Sequence, residues 1–285
     1  MNLAIVGLGE AGQIFARQFR DHGVAEIAVY DILFADPGSG PSLAAGPYRK
    51  CADAADAVRG ADVVVSAVTA GAALDAAKSA ARGIEKNAFF WDLNSVSPST
   101  KQAAAKIIAD AGGRYVEAAV MSSVPPKGIR SPMLLGGAHA SNFFATMKPY
   151  ALDLTVYATD VGTASAVKMC RSVLIKGLEA LLTESMLAAR HYGVEEEVLA
   201  SLKDTIPHPD WRKQAAYMIG RALLHGKRRA EEMREVAKTV AEAGVAPMLS
   251  APTAERQDWA AKKGAALARE LLKTPELTAL LDALQ

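Results

Sequence analysis

The chain begins with a glycine-rich turn placed directly between a short apolar run and a helix-forming stretch. Residues 3–6 are apolar, and the pattern G-x-G-x-x-G follows at residues 7–12. In a parallel sheet, the first glycine permits a tight turn, the second leaves bare backbone, and the third lets the helix pack closely on the strand. The free N–H groups that open the helix attract a phosphate. This order predicts a dinucleotide site formed by Gly7, Leu8, Gly9, Glu10, Ala11 and Gly12.

An acidic residue at the end of the next apolar run is a second signal for the same site. Residues 27–30 are apolar and lead into Asp31, about twenty positions after Gly12. A carboxylate in this place accepts hydrogen bonds from the adenosine ribose and repels a 2′-phosphate. Residues 32–34 bring no arginine that would receive such a phosphate. We therefore expect NAD as the cofactor, with NADP possible.

The chain changes character near residue 160. Before this point, short β-like runs alternate with alanine-rich stretches, which is typical of a parallel sheet with helices on both faces. After Gly162 the strand patterns stop, and the remainder is predicted to be helical. We predict an α/β protein with a Rossmann-type, doubly wound domain over residues 1–160 and an all-α domain over residues 161–285. The predicted strands are residues 3–6, 27–30, 62–68, 88–92, 115–120, 133–136 and 155–158.

Composition and the absence of several motifs exclude other classes of function. A net charge of +1 gives no reason to expect a nucleic acid or a membrane surface as partner, and no apolar run reaches the length of a membrane span. The sequence contains no G-x-S-x-G, and its five histidines have no ligand spacing. Two cysteines form neither a metal cluster nor a disulfide framework, and Cys170 is expected to be a buried core thiol. We expect a cytoplasmic protein without a metal.

One predicted helix combines an apolar surface with a single polar stripe. Residues 164–190 are mostly apolar, which is typical of a helix buried on most of its surface. At about 100° per residue, six polar side chains share one face. They are Ser165, Lys168, Ser172, Lys176, Glu179 and Thr183. Lys176 and Glu179, three positions apart, are interpreted as an ion pair with each other.

Lys168 is the candidate for chemistry on this stripe. A lysine in an apolar helix is costly unless it is paired or functional. Partial burial, and a positively charged nicotinamide nearby, would lower its pKa and let the neutral amine act as a general base. The residues alone leave two interpretations open: a catalytic amine, or a side chain that reaches solvent or pairs with a carboxylate.

Taken together, these motifs resemble the β-hydroxyacid dehydrogenase superfamily, which includes 3-hydroxyisobutyrate and 6-phosphogluconate dehydrogenases. The resemblance covers nearly the whole chain, and the glycine motif at residues 7–12 is the family's N-terminal signature. Residues 92–98 (DLNSVSP) resemble the segment that borders the nicotinamide ribose. The resemblance implies cofactor contacts from Asn94 and from Val68 and Thr69, where the fourth strand ends.

Two further segments carry the resemblance into the substrate site. Residues 117–123 (EAAVMSS) resemble the family's D-A-P-V-S-G-G, and residues 162–172 (GTASAVKMCRS) resemble its catalytic helix, G-x-G-x-x-x-K-x-x-N-N. The resemblance implies that Lys168 accepts the hydroxyl proton of the substrate. It also implies that the acid group of the substrate is held by Ser122, Ser123 and Ser172.

The chain departs from the family pattern at those serines. Ser122 and Ser123 replace paired glycines, and Ser172 replaces an asparagine, so we expect a substrate that differs from the standard ones. Residues 123–128 (SVPPKG) indicate a divergent, phosphogluconate-dehydrogenase-like branch.

A basic cluster at residues 225–229 (HGKRR) lies near the place where the family uses a Lys-Asp pair. A guanidinium matches the geometry of carboxylate or phosphate, so Arg228, with Arg229 as alternative, is a candidate for holding an anionic group. The other interpretation is a solvated helix face balanced by Glu231, Glu232 and Glu235.

The expected function is the reversible NAD(P)-dependent oxidation of a small, anionic hydroxy acid. Two alternatives stay open: an imine reductase of the same architecture, against which Lys168 argues, and a cofactor-binding sensor without turnover. We also expect a homodimer, because the apolar long helix and the alanine-rich helices after it need more cover than one helical domain gives.

Overall fold

The computed structural model describes residues 1–36, 46–207 and 210–284, with residues 203–205 described in their backbone only. Contacts between residues divide the chain into two compact units, Met1–Met169 and Cys170–Gln285. The division falls inside a helix that begins at Thr163, whereas the sequence predicts a boundary between residues 160 and 161.

An eight-stranded sheet forms the centre of the first unit, with the order β3-β2-β1-β4-β5-β6-β7-β8. Neighbouring strands are parallel except β6 and β7, which pair antiparallel. The predicted α/β fold with a mostly parallel sheet is confirmed. The strands are β1 (Leu3–Val6), β2 (Ile27–Tyr30), β3 (Arg49–Lys50), β4 (Val63–Ser66), β5 (Phe89–Asp92), β6 (Arg114–Val120), β7 (Met133–Gly136) and β8 (Leu154–Ala158).

Helices cover both faces of this sheet, as the alternation along β1 illustrates. Leu3 and Ile5 belong to one apolar core, whereas Ala4 and Val6 belong to another, because successive side chains of a strand point to opposite faces. Burial on both faces also explains why β1 and β2 are uninterrupted apolar runs. The helices of this unit are α1 (Glu10–Asp21), α2 (Ala54–Val58), α3 (Ala73–Ala81), α4 (Pro98–Asp110) and α5 (Ala140–Met147).

The strand register brings the predicted site segments to one edge of the sheet. Tyr30, Val6, Ser66, Asp92 and Glu117 form one row of paired residues across five neighbouring strands. The first four of these residues end their strands, so the loops that follow them lie side by side. Ligands of open α/β sheets bind at this carboxyl edge.

The second unit consists of helices joined by turns and short loops, with no strand among its described residues, which agrees with the all-α prediction. Helix α6 (Thr163–Tyr192) passes from the first unit into the second. Apolar residues such as Met186, Trp211, Ile219 and Leu280 form the core of the second unit. No helix in the described ranges is long and apolar enough to cross a membrane. The remaining helices are α7 (Glu195–Thr205), α8 (Trp211–Glu242), α9 (Ser250–Ala265), α10 (Arg269–Lys273) and α11 (Leu277–Leu284).

Helix α6 is buried over most of its surface, as expected, but two of its leucines and its cysteine are exposed. Leu174 and Leu181 are 75% and 65% exposed, and Cys170 is exposed rather than a core thiol. The polar stripe is largely buried together with apolar residues such as Met169 and Met186, and its side chains find hydrogen-bond partners there. Thr183, for example, donates to the carbonyl of Glu179, as a hydroxyl in a helix can do.

A buried ionic network lies beneath the carboxyl end of β5. The Asp92 carboxylate accepts a hydrogen bond from the Tyr115 hydroxyl at 2.6 Å and pairs with Lys101 Nζ at 3.0 Å. Lys101 Nζ also donates to the Asp92 carbonyl. Burial first, and then the charges of Asp92 and Glu117, raise the pKa of Tyr115 well above its usual range, so the phenol keeps its proton and remains a donor.

Two lysines on α4 provide a matched test of this network. Lys101→Met leaves the buried Asp92 charge without its cation and is expected to lower the free energy of unfolding by about 3 kcal/mol or more. Lys106→Met breaks the exposed pair with Asp110 on the same helix and is expected to cost less than about 1 kcal/mol. Urea denaturation measures both. Equal losses in the two variants would contradict the assigned role of the buried pair.

Candidate cofactor and active site

The glycine turn forms an open cradle at the start of α1. Gly7 has a φ of +94°, and a Cβ on it would lie 2.5 Å from the Ala67 carbonyl oxygen. A Cβ on Gly12 would lie 2.0 Å from the Gly7 carbonyl oxygen, so the helix can approach the strand only without a side chain there. A Cβ on Gly9 would meet nothing within 4 Å. The turn is therefore closed by protein at Gly7 and Gly12 and open at Gly9, which fits a bound pyrophosphate.

Asp31 fixes the shape of this turn. Its carboxylate is nearly buried and accepts hydrogen bonds from the backbone N–H of Leu8 at 2.6 Å and of Leu33 at 2.9 Å. The end of β2 is thereby tied to the glycine turn after β1. The sequence indicated a ribose contact for Asp31 but gave no sign of the bond to Leu8, which depends on how closely the two loops lie. Leu8, Glu10 and Ala11 lie on the same turn, with Glu10 exposed.

Asn94 joins the loops that follow β4 and β5. Its Oδ1 accepts from the Val68 N–H at 2.8 Å, and its Nδ2 donates to the Ser66 hydroxyl at 2.9 Å. Its own N–H donates to the Asp92 carboxylate. Thr69 is exposed at the start of the turn after Val68. The side chain of Asn94 thus holds the predicted cofactor segment in place, while contacts of Val68, Thr69 and Asn94 with the cofactor stay predictions.

The amine of Lys168 lies at this same edge of the sheet. Its Nζ donates a hydrogen bond to the Ser95 hydroxyl at 2.6 Å, and the side chain is half-buried. Ser95 directly follows Asn94 in the loop after β5. Ser95 is not among the residues predicted from the sequence, and its position within the DLNSVSP segment is the one signal that points to it.

A buried carboxylate holds the start of the helix that carries Lys168. Glu117 on β6 accepts hydrogen bonds through Oε1 from the N–H groups of Gly162 and Ala164, at 2.9 and 3.1 Å. A negative charge is favourable at a helix N-terminus. Gly136, the partner of Glu117 in the strand register, leaves room for this carboxylate, since a Cβ there would lie 2.2 Å from Oε1. Glu117 was quoted for its motif and not as a site residue.

The predicted substrate serines after β6 are accessible. Ser122 and Ser123 are both exposed, and the Ser122 hydroxyl donates to the Ser123 carbonyl at 3.1 Å. The Ser131 hydroxyl lies 3.4 Å from the same carbonyl. The loop therefore presents hydroxyl groups to solvent near the edge where β6 ends.

The second unit contains its own buried charge network, which corrects the expected pairing of Lys176 with Glu179. Lys176 Nζ instead pairs with Glu232 at 2.7 Å and donates to the Ser172 hydroxyl, and Glu179 pairs with Arg229. Burial lowers the pKa of Lys176, against the effect of Glu232. The i, i+3 spacing was misleading because α8 supplies opposite charges that the sequence could not place.

Arg228 and His225 lie at the surface of this network. Arg228 is half-exposed and pairs with Glu232, as the interpretation of a balanced helix face predicts, whereas Arg229 is buried. Burial first, and then the charge of Arg228, lower the pKa of His225 to about 4, so it is neutral at pH 7. Substrate contacts from Ser172 and Arg228 stay predictions. No group of His, Cys, Asp or Glu within the described ranges could hold a metal ion.

The protein is thus an α/β dinucleotide-binding protein with an appended helical unit, and comparison with known families gives its membership. The family described as the NAD binding domain of 6-phosphogluconate dehydrogenase matches residues 2–149, and the chain belongs to it. The first unit therefore contains an NAD(P)-binding domain. Residues 189–260 match a second family, described as a domain of unknown function.

Individual relatives agree with this membership. A conserved hypothetical protein from Sinorhizobium meliloti 1021 is 36% identical, with a TM-score of 0.73 over 100% of this chain and 95% of the other. A conserved protein of unknown function, described as structurally similar to 3-hydroxyacid dehydrogenases, is 32% identical, with a TM-score of 0.68 over 93% and 99%. A mitochondrial 3-hydroxyisobutyrate dehydrogenase from Drosophila melanogaster is 24% identical over 75% of this chain and 66% of its own. The predicted hydroxyacid-dehydrogenase resemblance is confirmed.

Two glycines of the cradle are expected to respond differently to alanine. Gly9→Ala leaves the melting temperature near that of the wild type, because its φ of −66° suits alanine and the space is open, but its methyl group blocks the cofactor and weakens NAD binding about 10-fold or more. Gly12→Ala lowers the melting temperature instead, since its methyl group meets the Gly7 carbonyl. Calorimetric NAD titration and thermal melts measure both effects. Undiminished NAD affinity in Gly9→Ala would refute the assigned cradle.

Proposed function

We propose that the protein is an NAD(P)-dependent dehydrogenase that oxidises the hydroxyl of a small, anionic hydroxy acid, with Lys168 as the general base. The observation that carries this proposal is the position of the Lys168 amine. The amine donates a hydrogen bond to Ser95, in the loop after β5, at the same edge of the sheet as the glycine cradle. The family membership supports the cofactor, and the relatives described as hydroxyacid dehydrogenases support the class of substrate.

The chain contributes a proton acceptor and a scaffold. A bound nicotinamide cofactor supplies the acceptor for the hydride that leaves the carbinol carbon. Lys168 Nζ, in its neutral form, accepts the hydroxyl proton. Loss of this proton and of the hydride converts the alcohol into a carbonyl group. In the reverse direction the Lys168 ammonium returns this proton to the oxygen. The glycine cradle, Asp31, Val68 and Thr69 hold and orient the cofactor, and Asn94 keeps the last two in place.

The acid group of the substrate is assigned to the loop after β6. The exposed hydroxyl of Ser123 is a donor suited to a carboxylate, and the Ser122 hydroxyl can become one by rotating away from the Ser123 carbonyl. Ser172 and Arg228 are further candidates from the sequence. Because serines stand where relatives of this class carry glycines and an asparagine, the proposed substrate differs from theirs in the shape around its acid group.

The Asp31 carboxylate supports NAD rather than NADP as the preferred cofactor. It would repel a 2′-phosphate, and the residues after it are the exposed apolar Ile32 and Leu33. We expect the dissociation constant of NADP to exceed that of NAD by about 10-fold or more. Calorimetric titration with each cofactor measures the ratio, and tighter binding of NADP would contradict this assignment.

The proposal includes a homodimer located in the cytoplasm. The exposure of Leu174 and Leu181 on α6 supports self-association, because apolar side chains of this size are usually covered. A monomeric mass in sedimentation equilibrium would contradict the dimer.

Lys168→Ala is expected to abolish turnover and to leave cofactor binding intact. Loss of the proton acceptor lowers kcat by about 100-fold or more. Lys106→Ala, at an exposed lysine of α4, serves as a control and is expected to keep wild-type kinetics. The measurement is the absorbance of reduced cofactor with saturating NAD and a panel of hydroxy acids. Wild-type activity in Lys168→Ala would remove this residue from the mechanism, and binding without turnover in the wild-type chain would instead indicate a sensor.

A further inference from the structure

The loop after β5 leaves one side chain partly exposed in an otherwise buried segment. Residues 91–97 are all described, and among them Ser95 alone is not fully buried. A partly exposed hydroxyl in a buried loop is able to form a hydrogen bond with a group outside the loop. Its partner here is the amine of Lys168, at 2.6 Å.

Both sides of Ser95 are fixed by contacts that are independent of Lys168. On one side, Asn94 bonds to Val68, Ser66 and Asp92. On the other, Val96 packs in an apolar cluster, and the Ser97 hydroxyl accepts from the Thr100 N–H at the start of α4. The backbone of Ser95 is therefore held in place by contacts of its neighbours that do not involve the amine. A flexible lysine that meets a fixed acceptor loses rotamer freedom in that place.

The helix that presents Lys168 is fixed as well. Glu117 holds the N–H groups of Gly162 and Ala164, and Lys168 follows one helical turn after Ala164. The backbone of Lys168 is thus anchored through β6, and its amine is anchored through the loop after β5. These two strands are neighbours in the sheet.

We infer that Ser95 is a positioning residue, whose hydroxyl holds the Lys168 amine in the place from which it exchanges a proton with the substrate. This inference rests on the proposed function, because it gives the role of base to Lys168. It adds a residue that the family motifs and the sequence did not single out. Ser95 acts on turnover through Lys168 and not through the cofactor cradle.

Kinetics of three variants test this role. Ser95→Ala is expected to lower kcat by about 10-fold to 100-fold, because the amine loses the contact that positions it, and to change KM and the NAD dissociation constant by less than about twofold. Ser95→Thr keeps a hydroxyl and is expected to restore most of kcat. Ser99→Ala removes a neighbouring hydroxyl, which contacts Ser97, and is expected to keep wild-type kinetics. Thermal melts confirm that each variant is folded, and Ser95→Cys replaces Ser95→Ala if the latter is not.

A chemical measurement separates failure of this inference from failure of the proposed function. Trace acetylation with acetic anhydride, read by mass spectrometry, compares Lys168 with the exposed Lys86 without any turnover. Because the hydrogen bond to Ser95 restrains the amine, its loss in Ser95→Ala is expected to raise the relative labelling of Lys168 about threefold or more, and Ser95→Thr is expected to reverse this. An inactive wild-type chain that still shows this labelling pattern would refute the proposed function while retaining the contact.

Three results would overturn the inference. Ser95→Ala with wild-type kcat would show that the amine needs no such support. Ser95→Thr as slow as Ser95→Ala would show that the hydroxyl is not the active feature. Unchanged labelling of Lys168 in Ser95→Ala would show that the contact does not hold the amine.

Discussion

The arrangement of the candidate site depends on the buried carboxylate of Asp92. It ends β5 and binds Lys101, the Tyr115 hydroxyl and the N–H of Asn94. A buried charge is tolerated when its ionic and hydrogen-bonding capacity is filled, and here three different elements fill it. The loop that leaves β5 is consequently fixed at its first residues, and the groups that it carries are fixed with it.

Two residues that follow Asp92 connect this carboxylate with the cofactor segment and with the proposed base. Asn94 reaches across to Val68 and so orders the loop beside the glycine cradle. Ser95, the next residue, reaches the amine of Lys168. One short loop thereby connects the cofactor segment with the proposed base. Dehydrogenases that use a nicotinamide cofactor depend on such positioning, because the cofactor carries the difficult electronic step.

The parts of this picture that the sequence predicted are those encoded in short-range patterns. Uninterrupted apolar runs predicted the main strands, and the glycine spacing and Asp31 predicted the nucleotide edge. The two-residue strand β3 was missed because Arg49 and Lys50 are exposed and too short a run to show a period. The antiparallel pairing of β7 with β6 was missed because the apolar pattern of residues 133–136 does not indicate the direction of the strand.

The parts that the sequence did not predict depend on contacts between distant residues. The pairing of Lys176 with Glu232 and of Glu179 with Arg229 joins positions about fifty residues apart, whereas helical spacing suggested a local pair. The bond from Asp31 to Leu8 and the capping of α6 by Glu117 have the same origin. A polar stripe on an apolar helix correctly marked a special face. It could not show that this face is largely buried.

The proposed chemistry requires the Lys168 amine on α6 to reach the hydroxyl of a substrate that lies beside a nicotinamide ring. A crystal structure of the chain with NAD and an unreactive hydroxy-acid analogue would show this geometry. We expect Lys168 Nζ within hydrogen-bonding distance of the analogue's hydroxyl, with the pyrophosphate on the turn at Gly9. An Nζ directed into bulk solvent, away from both ligands, would rule out Lys168 as the base.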